Sequence, residues 1–307
     1  MNLPRYLFST NQTLVFDSQF TNAYDYISID NKSACLNISF KKTFEQPLTL
    51  VFTNELSNTV QLHFNKSISG SITIIHYYSR QTKKQFSFVF DDSSNISIKE
   101  VFISKRSITL EMHRDFIIKH NALLSLVSGS LIEGTTLTNE TFLLTNERAN
   151  LTYQNLYIGS NIDNMTCKQW MKHFAVNSTS YVENLLVSGD ESKLDFEVSG
   201  YIEKGMKGSI CKQQNRGVIL NEQGSVRVDP KLYINEYDVE AGHGAAIGQV
   251  NEDELFYLLS RGLDESAAKR LIISGYTEPF INAFESRSLQ SGIRRKIARK
   301  VKGVVSE

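Results

Sequence analysis

The sequence predicts a β-rich body followed by a small C-terminal helical domain. From residue 14 to about residue 234, short runs of β-branched and apolar residues alternate with polar ones at period two. Asn, Ser, Gly, Asp and Lys separate these runs, and no helical stretch longer than two turns stands out among them. After Gly248 the apolar residues recur at helical spacing instead. We therefore expect a β body over residues 1–249 and a helical domain over residues 250–307.

The individual strands are read from their alternation and from their β-branched residues. The clearest examples are "LNISF" (36–40), "SITIIHYY" (71–78), "NISIKEVFI" (95–103), "SITLEMH" (107–113), "LTYQNLYIG" (151–159), "VENLLVSG" (182–189) and "LDFEVSGYI" (194–202). More than 200 residues of this kind fit a sandwich, a barrel or a stacked β-helix. Recurrent Ser/Asn-Ile pieces favour stacked coils with inward apolar columns, but the repeat has no fixed period, so the pattern leaves these alternatives open.

Capping signals mark the first two helices. Asn251 followed by Glu254 has the spacing of a capping box, and Gly262 stands where a glycine ends a helix. Asp264 repeats the pattern for a second helix, which we expect Gly275 to terminate.

Two further helical segments follow. Thr277 and Pro279 are suited to open a third helix. The final segment, "SGIRRKIARKVKGVV" (291–305), places Ile293, Ile297 and Val301 on one face. Its basic residues are interpreted as the solvated face of a terminal amphipathic helix, since aromatic stacking residues are absent; they are Arg294, Arg295, Lys296, Arg299, Lys300 and Lys302.

Composition excludes several classes of function. Lys and Arg total 33 and so do Asp and Glu, so no global field attracts nucleic acid or a membrane. The start "MNLPRYLFSTNQTLVF" lacks the features of a signal peptide, and no apolar run reaches 18 residues, which favours a cytoplasmic protein. The three cysteines, Cys35, Cys167 and Cys211, lie far apart and are expected to be buried or half-buried thiols.

No local motif predicts an active site. The sequence contains no G-x-S-x-G elbow, H-E-x-x-H pair or Walker A loop. Gly242, Gly244 and Gly248 lie between a strand and a helix, but their spacing differs from that of a dinucleotide-binding loop, so we interpret them as a tight turn out of the β body. These observations favour a non-enzymatic scaffold; a carbohydrate-active β-helix enzyme with a sparse site is the competing hypothesis.

Residues 195–275 carry a family resemblance. The stretch "GHGAAIGQVNEDELFYLLSRGLDESAAKRLIISGY" (242–276) closely resembles the core shared by the B and D subunits of the SUF iron–sulfur cluster assembly system. The resemblance implies a right-handed parallel β-helix followed by a short helical domain. It also implies a subunit that pairs with a B-type scaffold and binds an ABC-type ATPase.

The resemblance is to the D type more than to the B type. His243-Gly244-Ala245 looks like the D-type sequence, whereas the B-type cysteine and acidic residue correspond to Asn215 and Gly244. Many D-type sequences have a cysteine where this chain has Ala241. D-type proteins also usually begin with a helical region, and this chain enters strands almost at once, which implies that the role of that region is absent or supplied by a partner.

The resemblance also yields the candidate functional residues. His243 is expected to present its imidazole outward between two glycines, as a transient ligand of iron or of a cluster at the subunit interface. No cofactor is expected to be bound permanently, and ATP is expected only through the partner ATPase. A homodimer in place of the heterodimer stays open. Charges around a compact apolar helix face are expected to dock the ATPase; they are Glu252, Asp253, Arg261, Lys269 and Arg270.

Overall fold

The computed structural model of the chain describes residue 4 and residues 13–16, 25–30 and 35–302, and of Lys302 only the backbone. The first nine strands are β1 (Thr13–Phe16), β2 (Ile27–Asp30), β3 (Cys35–Phe40), β4 (Leu48–Thr53), β5 (Thr59–Phe64), β6 (Ser69–Tyr78), β7 (Thr82–Phe90), β8 (Asn95–Ser104) and β9 (Ile108–Ile118). The next nine are β10 (Leu123–Leu131), β11 (Gly134–Leu144), β12 (Asn150–Gly159), β13 (Asn164–His173), β14 (Thr179–Ser188), β15 (Lys193–Ile202), β16 (Ile210–Ile219), β17 (Ser225–Ile234) and β18 (Glu240–Gln249). The helices are α1 (Glu252–Ser260), α2 (Glu265–Asn282) and α3 (Arg287–Lys302). Most of the predicted β body before residue 35, and residues 303–307 of the predicted helical domain, lie outside the described residues.

The strands wind into a parallel β-solenoid. From β4 onward, successive strands alternate between two nine-stranded sheets. Sheet A has the order β1-β4-β6-β8-β10-β12-β14-β16-β18, and sheet B has the order β17-β15-β13-β11-β9-β7-β5-β3-β2. All neighbours pair in parallel except β2 and β3, which are antiparallel. The mainly β body with C-terminal helices is confirmed, and among the alternatives that the pattern left open the stacked β-helix is the correct one.

Like residues stack in columns inside the solenoid. Phe88, Phe116 and Phe142 occupy one inward column of sheet B, with stacked rings whose centroids lie 4.6 and 4.5 Å apart. Parallel pairing in register places the same face of each coil inward, so each buried ring packs on the ring of the next coil. These columns form the continuous apolar core that the recurrent strand pieces predict.

The polar interruptions in the sequence are the corners of the coils. Asn121, Arg148 and Asn177 have φ values of 50°, 58° and 55°, in the left-handed region that short polar residues tolerate best. The backbone N–H of Asn121 donates to the carbonyl of Glu147 at 3.0 Å, one coil further on. Repetition of this bond from coil to coil satisfies the corner backbone and holds the coils in stack.

The helices cover part of the outer face of sheet A. Ile293 and Ile297 of α3 are buried in one apolar cluster with Leu131 and Ile158 of the sheet. Gly129 lets α2 approach closely, because a Cβ at that position would lie 2.3 Å from the ring of Phe280. The C-terminal halves of the sheet A strands are therefore buried on both faces, which explains their continuous apolar runs.

The predicted helix boundary at Gly275 is wrong. Helix α2 runs without interruption through Gly275 and Pro279 to Asn282. Its buried stripe continues past both residues, from Ile272 to Phe280. Pro279 removes one backbone hydrogen bond from the helix, and packing of the buried stripe on the sheet outweighs this loss. Tertiary contacts often override local helix propensity in this way.

The interpretation of the basic tail as a solvated face is also partly wrong. Lys300 is buried, and its Nζ donates to the carboxylate of Asp163 at 2.6 Å and to the carbonyl of Ile132 at 2.8 Å. Lys296 is buried too and pairs with Glu133. Burial lowers the pKa of Lys300, and the carboxylate of Asp163 opposes that shift. These two lysines anchor α3 to the corners of the solenoid, which helical periodicity alone does not reveal.

Candidate functional site

The last coil of the solenoid forms an open end. It consists of β17 and β18, and each strand has only one described neighbour, β15 and β16 respectively. Tyr233, Tyr237 and Ile247 are large apolar side chains exposed there. A strand with one free edge is a template for pairing with another chain, so this end is suited to receive a partner.

His243 lies in β18, at this open end. The structure contradicts the interpretation of the surrounding glycines as a tight turn, because Glu240–Gln249 forms a strand that pairs with β16 along its length. The backbone bonds to β16 stabilise the strand despite its three glycines. Gly244 also has a packing role, since a Cβ there would lie 2.4 Å from Oε1 of Gln214.

The imidazole of His243 is exposed although it belongs to an inward column. His243 is the register partner of Gln213, which points into the solenoid and is buried. Alternation therefore places Ala241, His243 and Ala245 on the core-facing side of β18. The side chain is exposed because no further described coil covers it.

A buried charged cluster, which sequence reasoning missed, lies deeper in the same interior. The guanidinium of Arg114 in sheet B pairs with Glu100 and with Glu140, and its Nη2 lies 3.0 Å from the hydroxyl of Tyr153. His76 Nε2 lies 2.7 Å from the other oxygen of Glu100. Burial opposes ionisation of Glu100, but Arg114 and His76 together hold its pKa below the usual value. The sequence signal that could have revealed it is Arg114, a charged residue at an inward-facing position of the alternating strand β9.

An amide ladder extends from this cluster to the open end. Gln169 Nε2 donates to Glu140 at 3.0 Å and to Asn184 at 3.1 Å. Asn184 Nδ2 donates to Asn215 Oδ1 at 2.9 Å, and Asn215 Nδ2 donates to the carbonyl of Gly244 at 3.1 Å. The polar column therefore ends on the backbone of β18, one residue after His243.

His243 belongs to no cluster of potential metal ligands among the described residues. No group of three or more His, Cys, Asp or Glu side chains among them is arranged to hold a metal ion. The nearest inward thiol in the neighbouring strand is Cys211, the register partner of Ala241, and burial raises its pKa to about 11. Metal bound at His243 needs ligands from outside this part of the chain.

Helices α1 and α2 carry the predicted partner-binding charges. Glu252, Asp253, Arg261 and Arg270 are exposed, while Lys269 is half-buried. Several of them contact neighbouring residues of their own helix. Lys269 pairs with Glu265 at 2.7 Å, the guanidinium of Arg261 lies 5.1 Å from the centroid of the Tyr257 ring, and Arg270 bonds to Ser266.

The apolar face of α1 is only partly packed against the rest of the chain. The helix has no buried residue, although Leu255 and Leu258 rest partly against the cluster on sheet A. Four large side chains point to solvent and form the exposed patch of the helix pair; they are Phe256, Tyr257, Leu259 and Leu271. Several large apolar side chains exposed on one helix pair are typical of an interaction surface.

A groove runs beside α2, across strands β10 to β18 of sheet A. It has a volume of about 740 Å³ and lies between α2 and the outer face of sheet A. Leu156 and Leu185 line its floor, and Tyr276 and Phe280 line its wall. Arg216 of β16 closes one side by donating to the hydroxyl of Tyr276 at 2.9 Å.

Comparison with known protein families shows which family has this sequence. The family model described as SUF system FeS cluster assembly, SufBD core domain, matches residues 57–276, which is most of the chain. The chain belongs to the SufBD core family. The match includes every coil from β5 onward, the strand that carries His243, and α1.

Individual relatives agree with this assignment. This SufBD-family chain is 33% identical over 144 residues to the iron-sulfur cluster assembly protein SufD of Bacillus subtilis, covering 47% of the chain and 32% of that relative. It is 35% identical over 112 residues to protein ABCI7, chloroplastic, of Arabidopsis thaliana, covering 36% and 24%. It is 38% identical over 101 residues to an iron-sulfur cluster assembly SufBD family protein of Archaeoglobus fulgidus, covering 33% and 24%. The matched segments thus span about a third or less of these relatives. Within the described ranges, no helix combines the length and apolar character needed to cross a membrane.

Proposed function

We propose that this SufBD-family chain is a non-enzymatic, D-type scaffold subunit for iron–sulfur cluster assembly. It pairs with a B-type subunit through the open end formed by β17 and β18, and it binds an ABC-type ATPase through α1 and α2. Family membership supports the assembly role, and the similarity to a relative named SufD supports the D type.

One observation carries the proposal: His243 is exposed on an uncovered edge strand inside the family-matched region. A neutral imidazole is a suitable ligand for iron. One imidazole alone holds iron weakly, so the remaining ligands, thiolates in the first instance, come from the partner that covers the open end. Iron or the nascent cluster is the cargo of this site, and no cofactor is held permanently.

The surroundings of His243 support the D type over the B type. Asn215 occupies the place that corresponds to the B-type cysteine, and its amide is buried and engaged with Asn184 and Gly244. The chain therefore contributes an imidazole to the interface, and the B-type subunit contributes the thiolate.

The exposed patch on the helix pair supports ATPase docking. Phe256 is 73% exposed and contributes nothing to the core of this chain, which is typical of a residue that inserts into a partner. ATP is bound and hydrolysed by that partner, since the sequence contains no phosphate-binding loop.

The alternatives receive less support. A carbohydrate-active enzyme needs two accessible carboxyl groups. Glu100 and Glu140 are buried on either side of Arg114, and the more exposed Glu197 and Asp229 are both paired with Lys231. A homodimer would use the same open end as the heterodimer, so it stays an alternative partner at the same surface.

The decisive experiment replaces His243 in the reconstituted complex with a B-type subunit and the ATPase. We expect His243→Ala to fold and assemble like wild type, because the side chain is exposed, and to lower the cluster yield about tenfold or more. His113→Ala is the matched control, since His113 is also an exposed strand histidine but lies on the outer face of sheet B. Cluster yield is measured by the iron–sulfur absorption and by iron content. A normal yield from His243→Ala would rule out the ligand role.

A further inference from the structure

Gln213 is buried next to His243 in the adjacent strand, and only the nitrogen of its side-chain amide forms a hydrogen bond among the described residues. Its Nε2 donates to the carbonyl of Lys231 in β17 at 3.0 Å. Its Oε1 is buried and has no hydrogen-bond partner among the described residues. A buried acceptor without a partner destabilises the folded state, so such an atom is expected to have a donor nearby.

His243 is the neighbour that is able to supply this donor. The two residues are register partners on adjacent parallel strands and belong to the same core-facing column. Strands in a sheet lie about 4.7–4.9 Å apart, which brings an imidazole N–H within reach of an amide oxygen on the next strand. A neutral imidazole has one N–H and one lone pair, so a bond to Gln213 leaves the other nitrogen free to bind a metal.

The strand that carries His243 is held in place for this contact. Asn215 Nδ2 donates to the carbonyl of Gly244 from the inside of the solenoid. Gln214 packs against Gly244 from the outer face. The peptide next to His243 is therefore fixed from both sides, although β18 is an edge strand that contains three glycines.

We propose that Gln213 is a positioning residue for His243. Its Oε1 accepts the imidazole N–H, selects one neutral tautomer and directs the other nitrogen toward the open end. Metal-bound histidines commonly donate their second ring N–H to such an acceptor, which fixes the tautomer and the orientation of the ring. The role in metal binding rests on the proposed function, whereas the hydrogen bond itself does not.

The hydrogen bond is tested by nitrogen NMR of the full-length chain labelled with ¹⁵N-histidine. His243→Ala identifies the His243 signals among those of the six histidines. We expect one neutral tautomer of His243 to dominate in the wild type and a mixture of both tautomers in Gln213→Leu. Gln213→Met, which also removes the acceptor but keeps the length of the side chain, should give the same mixture and serves if the leucine variant does not fold.

Asn155→Leu is the matched control. Asn155 is a buried amide of the same interior, two strands before β16 in sheet A, and its oxygen also has no hydrogen-bond partner in the part of the chain that the structure describes. We expect this variant to leave the His243 tautomer unchanged. Unchanged tautomer populations in Gln213→Leu, or equal changes in Gln213→Leu and Asn155→Leu, would overturn the inference.

Cluster yield on the complex with the B-type subunit and the ATPase then tests the link to function. We expect Gln213→Leu to lower the yield about tenfold and Asn155→Leu to leave it near wild type. If Gln213→Leu changes the tautomer while His243→Ala keeps full cluster yield, the positioning role stands and the proposed function fails. If His243→Ala loses the yield while Gln213→Leu changes neither tautomer nor yield, the proposed function stands and the positioning role fails.

Discussion

At the scale of single residues, some buried polar side chains have hydrogen-bond partners that suit only one of their protonation states. His173 is buried, with Nδ1 at 2.8 Å from the hydroxyl of Ser178 and Nε2 at 2.9 Å from that of Ser180. A hydroxyl both donates and accepts, so the pair satisfies a neutral ring completely. Burial disfavours the charged ring and lowers the pKa of His173 to about 4.

This shift predicts a loss of stability in mild acid. The unfolded chain takes up the proton near pH 6.5 and the folded chain only near pH 4, so the contribution is present above pH 6.5 and is lost as the pH falls toward 4. From this residue we expect the free energy of unfolding to fall by about 2 kcal/mol between pH 7.5 and pH 5. His173→Gln should flatten the dependence, and the exposed His113→Gln should not. Urea unfolding at a series of pH values measures this; a full slope in His173→Gln would contradict it.

At the scale of elements, helix α1 is held by its ends more than by its faces. Asn251 accepts from the backbone N–H groups of Asp253 and Glu254, and Gly262 adopts the left-handed conformation after the helix, with φ of 89°. The predicted ends at Asn251 and Gly262 are confirmed, while the carboxylate of Glu254, the second partner of the predicted capping box, accepts from the hydroxyl of Tyr276. The helix is therefore able to form while its large apolar side chains stay in solvent.

This arrangement predicts that α1 binds the ATPase through its apolar side chains more than through its charges. Phe256→Ser should weaken capture of the ATPase about tenfold or more, because a central aromatic residue dominates such an interface. Stability of the free chain should stay near wild type, since Phe256 is exposed. Ile162→Ser is the control: Ile162 is 79% exposed but lies at a corner between β12 and β13. Capture is measured by pull-down and calorimetry with purified ATPase. Equal affinity in Phe256→Ser and wild type would refute the assignment.

At the scale of the whole molecule, the solenoid has two different outer faces and an open end at β17 and β18. The helices cover part of the outer face of sheet A, while the outer face of sheet B carries charged and polar residues such as Lys83, Glu111 and Lys168. The open end combines free strand edges with small residues on β18 and with exposed apolar side chains. A partner is able to approach the backbone closely there, and continued stacking in register is the geometry that such an end favours.

A lysine at the open end should therefore prevent pairing. Ile247 and Leu137 are both 43% exposed, but Ile247 lies on β18 and Leu137 on the outer face of sheet B. We expect Ile247→Lys to weaken binding of the B-type subunit about tenfold or more, because the interface would bury an unpaired charge. Leu137→Lys should bind normally. Light scattering after gel filtration measures both the heterodimer and self-association of the chain alone. Normal pairing by Ile247→Lys would place the interface elsewhere.

The sequence by itself determined the elements whose signals are local. Alternation located the strands, polar residues marked the corners, and Asn251, Gly262 and Asp264 marked helix ends, because these signals depend on neighbours within a few residues. The stretch 242–276 also pointed to the family, and its membership is confirmed. The family resemblance, and not the residue types alone, indicated an interface histidine at 243, and its role in binding metal stays a prediction.

The tertiary structure decided what depends on pairing between distant segments. The glycine-rich segment around His243 is a strand because it pairs with β16, and α2 stays helical past Gly275 because it packs on the sheet. Burial of Lys300 against Asp163, and the amide ladder that ends at β18, arise from residues brought together by successive coils. Each of these features depends on contacts a coil or more apart along the chain, which a local pattern does not specify.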